Sequence, residues 1–149
     1  MIDRRTVLLG PAALGLIAAC TPAAGSATLM ATGSAGMNPG PDGSDRPLTL
    51  HIVQMKGTGA FDSADFFALQ NPPGALGGDL VKADQMVLTA GAGATKTIAL
   101  DPATTAIGVI AGFRNPAGKA FRAKSAVSPT AKVSFAVEVG SGGIVLRPA

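Results

Sequence analysis

The chain of 149 residues has no tryptophan, no tyrosine, one cysteine and one histidine. Without tryptophan and tyrosine, it has few side chains on which a sugar or a nucleic-acid base could stack. The single cysteine excludes an internal disulfide, and the single histidine, His51, has no second histidine or carboxylate cluster with which to form a zinc site. The lysines and arginines are scattered among acidic residues, so the net charge of +3 does not indicate nucleic-acid binding.

Side chains that could serve in catalysis have simpler explanations. Asp62 and Asp65 lie three residues apart, but both fit the start of a helix, where carboxylates cap backbone N–H groups. The serines lack a Gly-x-Ser-x-Gly elbow, and the glycine-rich residues 91–95 lack the lysine of a phosphate-binding loop. Asp42 and Asp45 resemble part of a calcium loop without its distal glutamate, which favours a turn. We therefore predict no enzyme activity, no metal and no cofactor.

The first twenty residues indicate export. Arg4 and Arg5 provide a basic start, residues 6–19 an apolar run, and two alanines the small residues before Cys20. The run is shorter than the roughly 20 apolar residues of a membrane-spanning helix, and a glycine–proline pair interrupts it. Residues 17–20, Ile-Ala-Ala-Cys, form a lipobox, in which the cysteine receives a diacylglyceryl group. We predict a lipoprotein signal peptide over residues 1–19.

Acylation of Cys20 would attach the protein to lipid, because two or three acyl chains give stable anchoring. Thr21 follows the cysteine where an aspartate would resemble an inner-membrane retention signal, so we expect the outer membrane, on its periplasmic side. Arg4-Arg5 resembles a twin-arginine motif, but Asp3 before it and a missing phenylalanine after it leave the export route open.

Beyond the signal peptide, we predict a tether over residues 20–26 and one all-β domain over residues 27–149. Short runs with a period of two, separated by glycine, proline and asparagine turns, indicate a β-sandwich of about eight strands. In the second strand, His51 alternates with Leu50 and Ile52, so we expect its ring to be solvated or hydrogen-bonded. The predicted strands cover residues 27–34, 47–55, 85–89, 95–100, 105–114, 119–126, 132–139 and 143–147.

A short helical insertion follows the second predicted strand. Asp62 fits the N-cap of a helix ending at residue 69, with Phe61 and Phe66 at the spacing of a hydrophobic staple. The sequence Asn-Pro-Pro-Gly at residues 71–74 predicts the end of this helix, and residues 74–81 could add a further turn.

Residues 36–46 form a loop that is longer than a hairpin needs. Long ordered loops on a rigid sandwich often carry recognition, although a passive surface loop is the alternative. Methionine offers a flexible apolar contact, aspartate a negative charge and arginine forked hydrogen bonds. The candidate contact residues are Met37, Asn38, Pro39, Asp42, Asp45 and Arg46.

The chain resembles the outer-membrane lipoproteins of type VI secretion systems, the TssJ family. The similarity covers most of the chain after the signal peptide, and it depends on the order and spacing of several weak motifs behind the lipobox. Departures from the family pattern are Val53 in place of an aromatic residue, Met55 in place of leucine and Phe121 in place of tryptophan. The matching motifs are Asn38-Pro39, Arg46-Pro47, Val-Gln-Met-Lys at residues 53–56, the helix at residues 61–69, residues 107–114 and Phe121-Arg122.

The resemblance implies a transthyretin-like β-sandwich that anchors a secretion membrane complex to the outer membrane. It also implies a partner, the periplasmic C-terminal domain of the IcmF-like inner-membrane subunit TssM, contacted by the loop at residues 36–46. The alternative function is a transthyretin-like periplasmic lipoprotein that binds a small ligand or a glycan. A hydrolase is a third possibility, which the available nucleophiles and bases do not support.

Overall fold

The structure is a computed structural model that describes residues 23–149, so the predicted signal peptide and Cys20 lie outside the described residues. Two four-stranded sheets, in the orders β4-β1-β7-β8 and β3-β2-β5-β6, pack face to face. The prediction of an all-β sandwich of about eight strands is confirmed. The strands are β1 Ser26–Gly33, β2 Leu48–Met55, β3 Leu80–Leu88, β4 Gly93–Ala99, β5 Ala106–Ala111, β6 Arg122–Ala126, β7 Lys132–Gly140 and β8 Gly143–Pro148.

The core between the sheets follows from alternation along the strands. β1 turns Leu29 inward between more exposed neighbours, and β7 buries Phe135, Val137 and Val139 on one face. Burying a large aliphatic or aromatic side chain contributes about 1.5–3 kcal/mol each, so these inward faces hold the sheets together.

β1 lies in the middle of its sheet. It pairs antiparallel with β4, from Ser26 opposite Ala99 to Thr32 opposite Gly93. It also pairs parallel with β7 along its whole length. The first strand of the described chain is therefore enclosed on both sides by strands from the second half of the sequence.

A helical segment covers the outer face of the second sheet, between β2 and β3. It comprises helices α1 Gly59–Ser63, α2 Phe66–Leu69 and α3 Pro72–Leu76, followed by a 3₁₀ turn at Gly77–Asp79. The ring of Phe61 packs directly on β5, because a Cβ at Gly108 would lie 2.6 Å from it. Among residues 23–149, none of the helices combines the length and the apolar character that crossing a membrane requires.

The predicted single helix over residues 61–69 is wrong, because the segment divides at Ala64. The guanidinium of Arg122 donates hydrogen bonds to the carbonyl oxygens of Phe61 and Ala64, which occupies acceptors at the end of α1. Asp62 lies inside α1 rather than at its N-cap, whereas Asp65 caps α2 by accepting from the Ala68 N–H at 2.7 Å. A contact with β6, distant in sequence, thus overrides the local capping pattern.

The predicted end at residues 71–74 agrees with α2, which stops at Leu69, but a further helix that was not predicted, α3, then begins at Pro72. Proline suits the first position of a helix, where its missing N–H is not needed. β3 begins at Leu80, five residues before the predicted start, because its pairing with β2 extends as far as Met55.

Gln54 joins the two sheets inside the sandwich. Its side chain is fully buried; it donates to the Ala99 carbonyl at 2.9 Å and accepts from the Asp101 N–H and the Thr104 hydroxyl at 2.9 and 2.8 Å. Buried polar groups need such partners, so this amide stabilises the sandwich only while all three bonds are present.

Replacing this amide with a hydrocarbon should therefore be costly. We expect Gln54→Leu to lower the free energy of unfolding by about 2–3 kcal/mol, because the Asp101 N–H and the Thr104 hydroxyl lose their acceptor. The matched control is Gln85→Leu, at an exposed glutamine of β3 whose side chain makes one long hydrogen bond, to His51. Urea unfolding followed by circular dichroism measures both, and equal losses for the two variants would contradict this role of Gln54.

Candidate functional site

The loop between β1 and β2 is fixed at its base by Asn38. The Asn38 Oδ1 atom accepts from the Arg114 N–H at 2.9 Å, and its Nδ2 atom donates to the carbonyl oxygens of Arg46 and Pro47, both at 3.3 Å. The Arg46 N–H in turn donates to the Asn38 carbonyl at 2.8 Å. One buried side chain thus joins the two arms of the loop to the connection between β5 and β6.

Met37 lies in the core rather than on the surface. Its side chain is 0% exposed and packs within the main cluster between the sheets. Its carbonyl oxygen accepts from Lys119 Nζ at 2.9 Å, and that ammonium group lies 4.9 Å from the centroid of the Phe113 ring. The side chain of Met37 therefore cannot be the flexible surface contact predicted from the sequence, because it anchors the loop to the sandwich.

Asp45 holds the start of the loop in place. Its two carboxylate oxygens accept from the backbone N–H groups of Gly36 and Asn38, at 2.9 and 3.0 Å. These two hydrogen bonds, assisted by the charge of Lys119, lower the pKa of the Asp45 carboxyl below its usual 3.8. Its negative charge is thus directed into the loop.

The tip of the loop, residues 39–46, is a small hairpin that projects into solvent. Pro39 pairs with Asp45, and the Gly40 N–H donates to the Ser44 carbonyl at 2.8 Å. Arg46 Nη2 lies 3.0 Å from Asp42 Oδ1, and both side chains are about half exposed. Of the six candidate residues, Pro39, Asp42 and Arg46 are exposed, whereas Met37 and Asn38 are buried.

The connection between β5 and β6 also contributes to this site, through Lys119 and the backbone of Arg114. Sequence reasoning missed the role of both residues and placed them at the ends of two predicted strands, at residues 105–114 and 119–126. No local pattern marks them, because their partners in the loop lie 76 and 82 residues away along the chain.

The remaining candidates do not form a second site. His51 is buried in β2 with its Nδ1 atom 3.5 Å from Gln85 Nε2, and burial lowers the pKa of its imidazole. Residues 23–149 contain no group of three or more histidine, cysteine or carboxylate side chains that could hold a metal ion. An open concavity of about 530 Å³ beside the β7–β8 turn is lined mainly by small residues, and its one charged group, Glu138, is paired with Arg147.

Comparison with known proteins identifies the family. The family model described as type VI secretion lipoprotein (T6SS-SciN; VasD, EvfM, TssJ) matches residues 26–142. The chain belongs to this family of type VI secretion lipoproteins. The match begins at β1 and includes the loop at residues 36–46. The sequence matches no curated protein.

Solved structures of similar proteins share the fold. The type VI lipoprotein TssJ1 from Pseudomonas aeruginosa is 27% identical, with a TM-score of 0.76 over 85% of this chain and 97% of that one. Lip from Serratia marcescens, described as a membrane-bound component of the type VI secretion system, is 26% identical, with a TM-score of 0.73 over 83% and 96%. A chain in a solved type VI membrane complex is 26% identical, with a TM-score of 0.71 over 84% and 99%.

The hydrogen bonds of Asp45 predict a pH dependence of stability in this family member. Because the folded-state pKa is lowered, the carboxylate stabilises the fold above the unfolded value near 3.8, and this contribution is lost as the pH falls through the folded pKa. We expect Asp45→Asn to melt at a lower temperature than the parent at pH 7, and this difference to shrink at pH 3. The control Asp42→Asn should change the melting temperature less at pH 7, and a difference between parent and Asp45→Asn that grows at pH 3 would contradict the assignment.

Proposed function

We propose that this protein is the lipid-anchored outer-membrane subunit of a type VI secretion membrane complex. In this proposal, acylated Cys20 holds the domain at the periplasmic side of the outer membrane, and the tip of the loop binds the periplasmic C-terminal domain of the IcmF-like inner-membrane subunit TssM. The role is mechanical and needs no catalytic group. The observation that carries the proposal is an ordered, exposed loop tip on a member of the type VI secretion lipoprotein family.

The direction of β1 supports this arrangement. The chain enters β1 at Ser26 and leaves it at Gly33, and eight residues of strand span about 25 Å. The loop therefore begins at the end of the sandwich opposite to the tether. A lipid on Cys20 would leave the tip facing away from the bilayer, toward a partner in the periplasm.

The stiffness of the loop supports a role in recognition. Its backbone is held by Asn38 and Asp45, and prolines at positions 39, 41 and 47 restrict it further. A preorganised loop loses little conformational entropy on binding, so the exposed tip can contribute its contacts to affinity. Several copies around one complex would raise the effective concentration, so each contact can be modest.

The anchor is tested by Cys20→Ser. Without the thiol that accepts lipid, we expect the exported protein to move from the outer-membrane fraction to the soluble periplasm while remaining folded, and secretion to stop. Membrane fractionation with a radiolabelled fatty acid measures this, and Ser26→Ala is a control that leaves the acylation site intact. Continued retention of the serine variant in the outer-membrane fraction would contradict the anchor.

The tip is tested by exchanging its two charges. The double variant Asp42→Arg with Arg46→Asp keeps an opposite-charge pair but reverses the charges that the tip presents, and it removes the acceptor of the Ser44 N–H, so circular dichroism first checks that the variant is folded. We expect its affinity for the TssM periplasmic domain to fall at least about tenfold in a calorimetric titration, since truncating a hot-spot residue costs 2 kcal/mol or more.

The matched control exchanges a second exposed ion pair far from the tip, Asp62→Lys with Lys124→Asp, between α1 and β6. This control should bind like the parent. An unchanged affinity of the folded tip variant would refute the loop assignment. Equal losses in both variants would also refute it, because the effect would then not be specific to the tip.

A further inference from the structure

The predicted tether and the loop leave the sandwich at the two ends of the same strand. The tether leads directly into β1 at Ser26, and the loop begins directly after Gly33. If lipid holds the chain before β1 and a partner holds the loop after it, the shortest covalent path between the two attachments is β1 itself. The other seven strands lie outside that path.

Both ends of β1 are held firmly. At the tether end, the Gly25 N–H donates to the Pro129 carbonyl at 2.8 Å, and the Leu100 N–H donates to the Gly25 carbonyl at 2.9 Å. The fit is tight, since a Cβ at Gly25 would lie 2.3 Å from the Ala131 carbonyl oxygen. At the loop end, the Ser34 N–H donates to the Val139 carbonyl at 2.9 Å.

Between these ends, ladders to β4 and β7 run along both edges of the strand. β4 pairs with β1 from Ser26 to Thr32 and β7 pairs with it from Ser26 to Gly33, while Gly33 also forms a bridge to Ala90, so β1 has a partner on both edges as far as its last residue. Inward-facing Ala27, Leu29 and Ala31 are also buried, which fixes the strand to the opposite sheet.

Tension along such a strand differs from tension across the fold. An extended strand rises about 3.3 Å per residue, close to the maximum of about 3.6 Å, so it has almost no slack to release. Pulling on its two ends loads the covalent backbone and does not slide β1 past its neighbours. Pulling on β1 at one end and on β7 at the other would instead shear the parallel ladder between them.

We propose that β1 is the tension path of this lipoprotein: force between the membrane anchor and the base of the loop runs along this one strand, which β4 and β7 hold in place. The inference rests on the proposed function for its two attachment points. It predicts that the fold resists force applied between the tether and the loop, and yields to force that leaves through another strand.

The structure offers a matched pair of attachment points. Ala35 and Ser141 are both exposed at the loop end of the sandwich, and they lie close together, since a Cβ at the adjacent Gly36 would be 3.7 Å from the Ser141 Cβ. Ala35 directly follows β1, whereas Ser141 lies between β7 and β8. Force applied at either position has nearly the same direction, so only the strand that transmits it differs.

The experiment holds single molecules in magnetic tweezers at constant force, with thermolysin present. The chain from residue 20 onward, which contains every described element and carries no lipid, is attached through Cys20 and a second thiol from Ala35→Cys or Ser141→Cys. Thermolysin cuts before large apolar residues, and between Cys20 and Ala35 the only ones are Leu29 and Met30, both within β1. Cleavage of the Ala35→Cys tether that is faster than at near-zero force therefore reports release of β1, because slow cleavage before Ala23 or Ala24 is common to both conditions.

We expect the Ser141→Cys molecules to unfold at moderate force, to lengthen by roughly 40 nm for the 121 residues between the handles (141 − 20), and to be cut quickly. The Ala35→Cys molecules should survive at that same force as long as they do at near-zero force. Adding urea should make them cleavable, which confirms that the assay detects β1 when it is released.

Faster cleavage of the Ala35→Cys tether at the force that unfolds the Ser141→Cys molecules than at near-zero force would overturn the inference. The purified chain alone decides this result, with no partner present. Failure of the proposed function would appear instead in the force-free titration of the tip variants, so the two failures are distinguishable.

Discussion

The pairing of β1 with β4 on one side and β7 on the other is the constraint on which the rest of the structure depends. The first residues of a domain often fray unless they are tied into a sheet. Here the first strand occupies an interior position, and its parallel partner is contributed by residues 132–140, near the other end of the chain. The first sheet is therefore completed only by a long-range contact, and the loop that follows β1 starts from a rigid support.

The loop depends on a second constraint, the need to satisfy backbone groups that belong to no strand. A long irregular segment leaves N–H and carbonyl groups unpaired unless side chains or water bind them. Asn38 and Asp45 meet that need, with help from Lys119, so a glycine- and proline-rich segment becomes an ordered structure. Because Asn38 and Asp45 are engaged in these hydrogen bonds, they are not available to a partner, and the exposed tip remains as the surface for recognition.

Elements set by neighbouring residues were predicted more accurately than elements set by contacts between residues far apart in the chain. β7 and β8 were predicted within one residue, because alternation and a glycine-rich turn are local signals. The helical segment was predicted as one helix and is three, since Arg122 on β6 takes the carbonyl oxygens at the end of α1 and Pro72 begins α3. Met37 looked like a surface contact because its neighbours are turn residues, yet its side chain packs between the sheets.

By itself, the sequence determined the class of fold, the approximate strands and the resemblance to type VI secretion lipoproteins, because periodicity, turn residues and short motifs are written in adjacent positions. Tertiary structure alone decided that β1 lies in the middle of a sheet and which residues of the loop remain exposed. The physical reason is that burial and hydrogen-bond pairing depend on partners far away in the chain. Asn38 is fixed by a residue 76 positions later and Met37 by one 82 positions later, and no local pattern encodes those contacts.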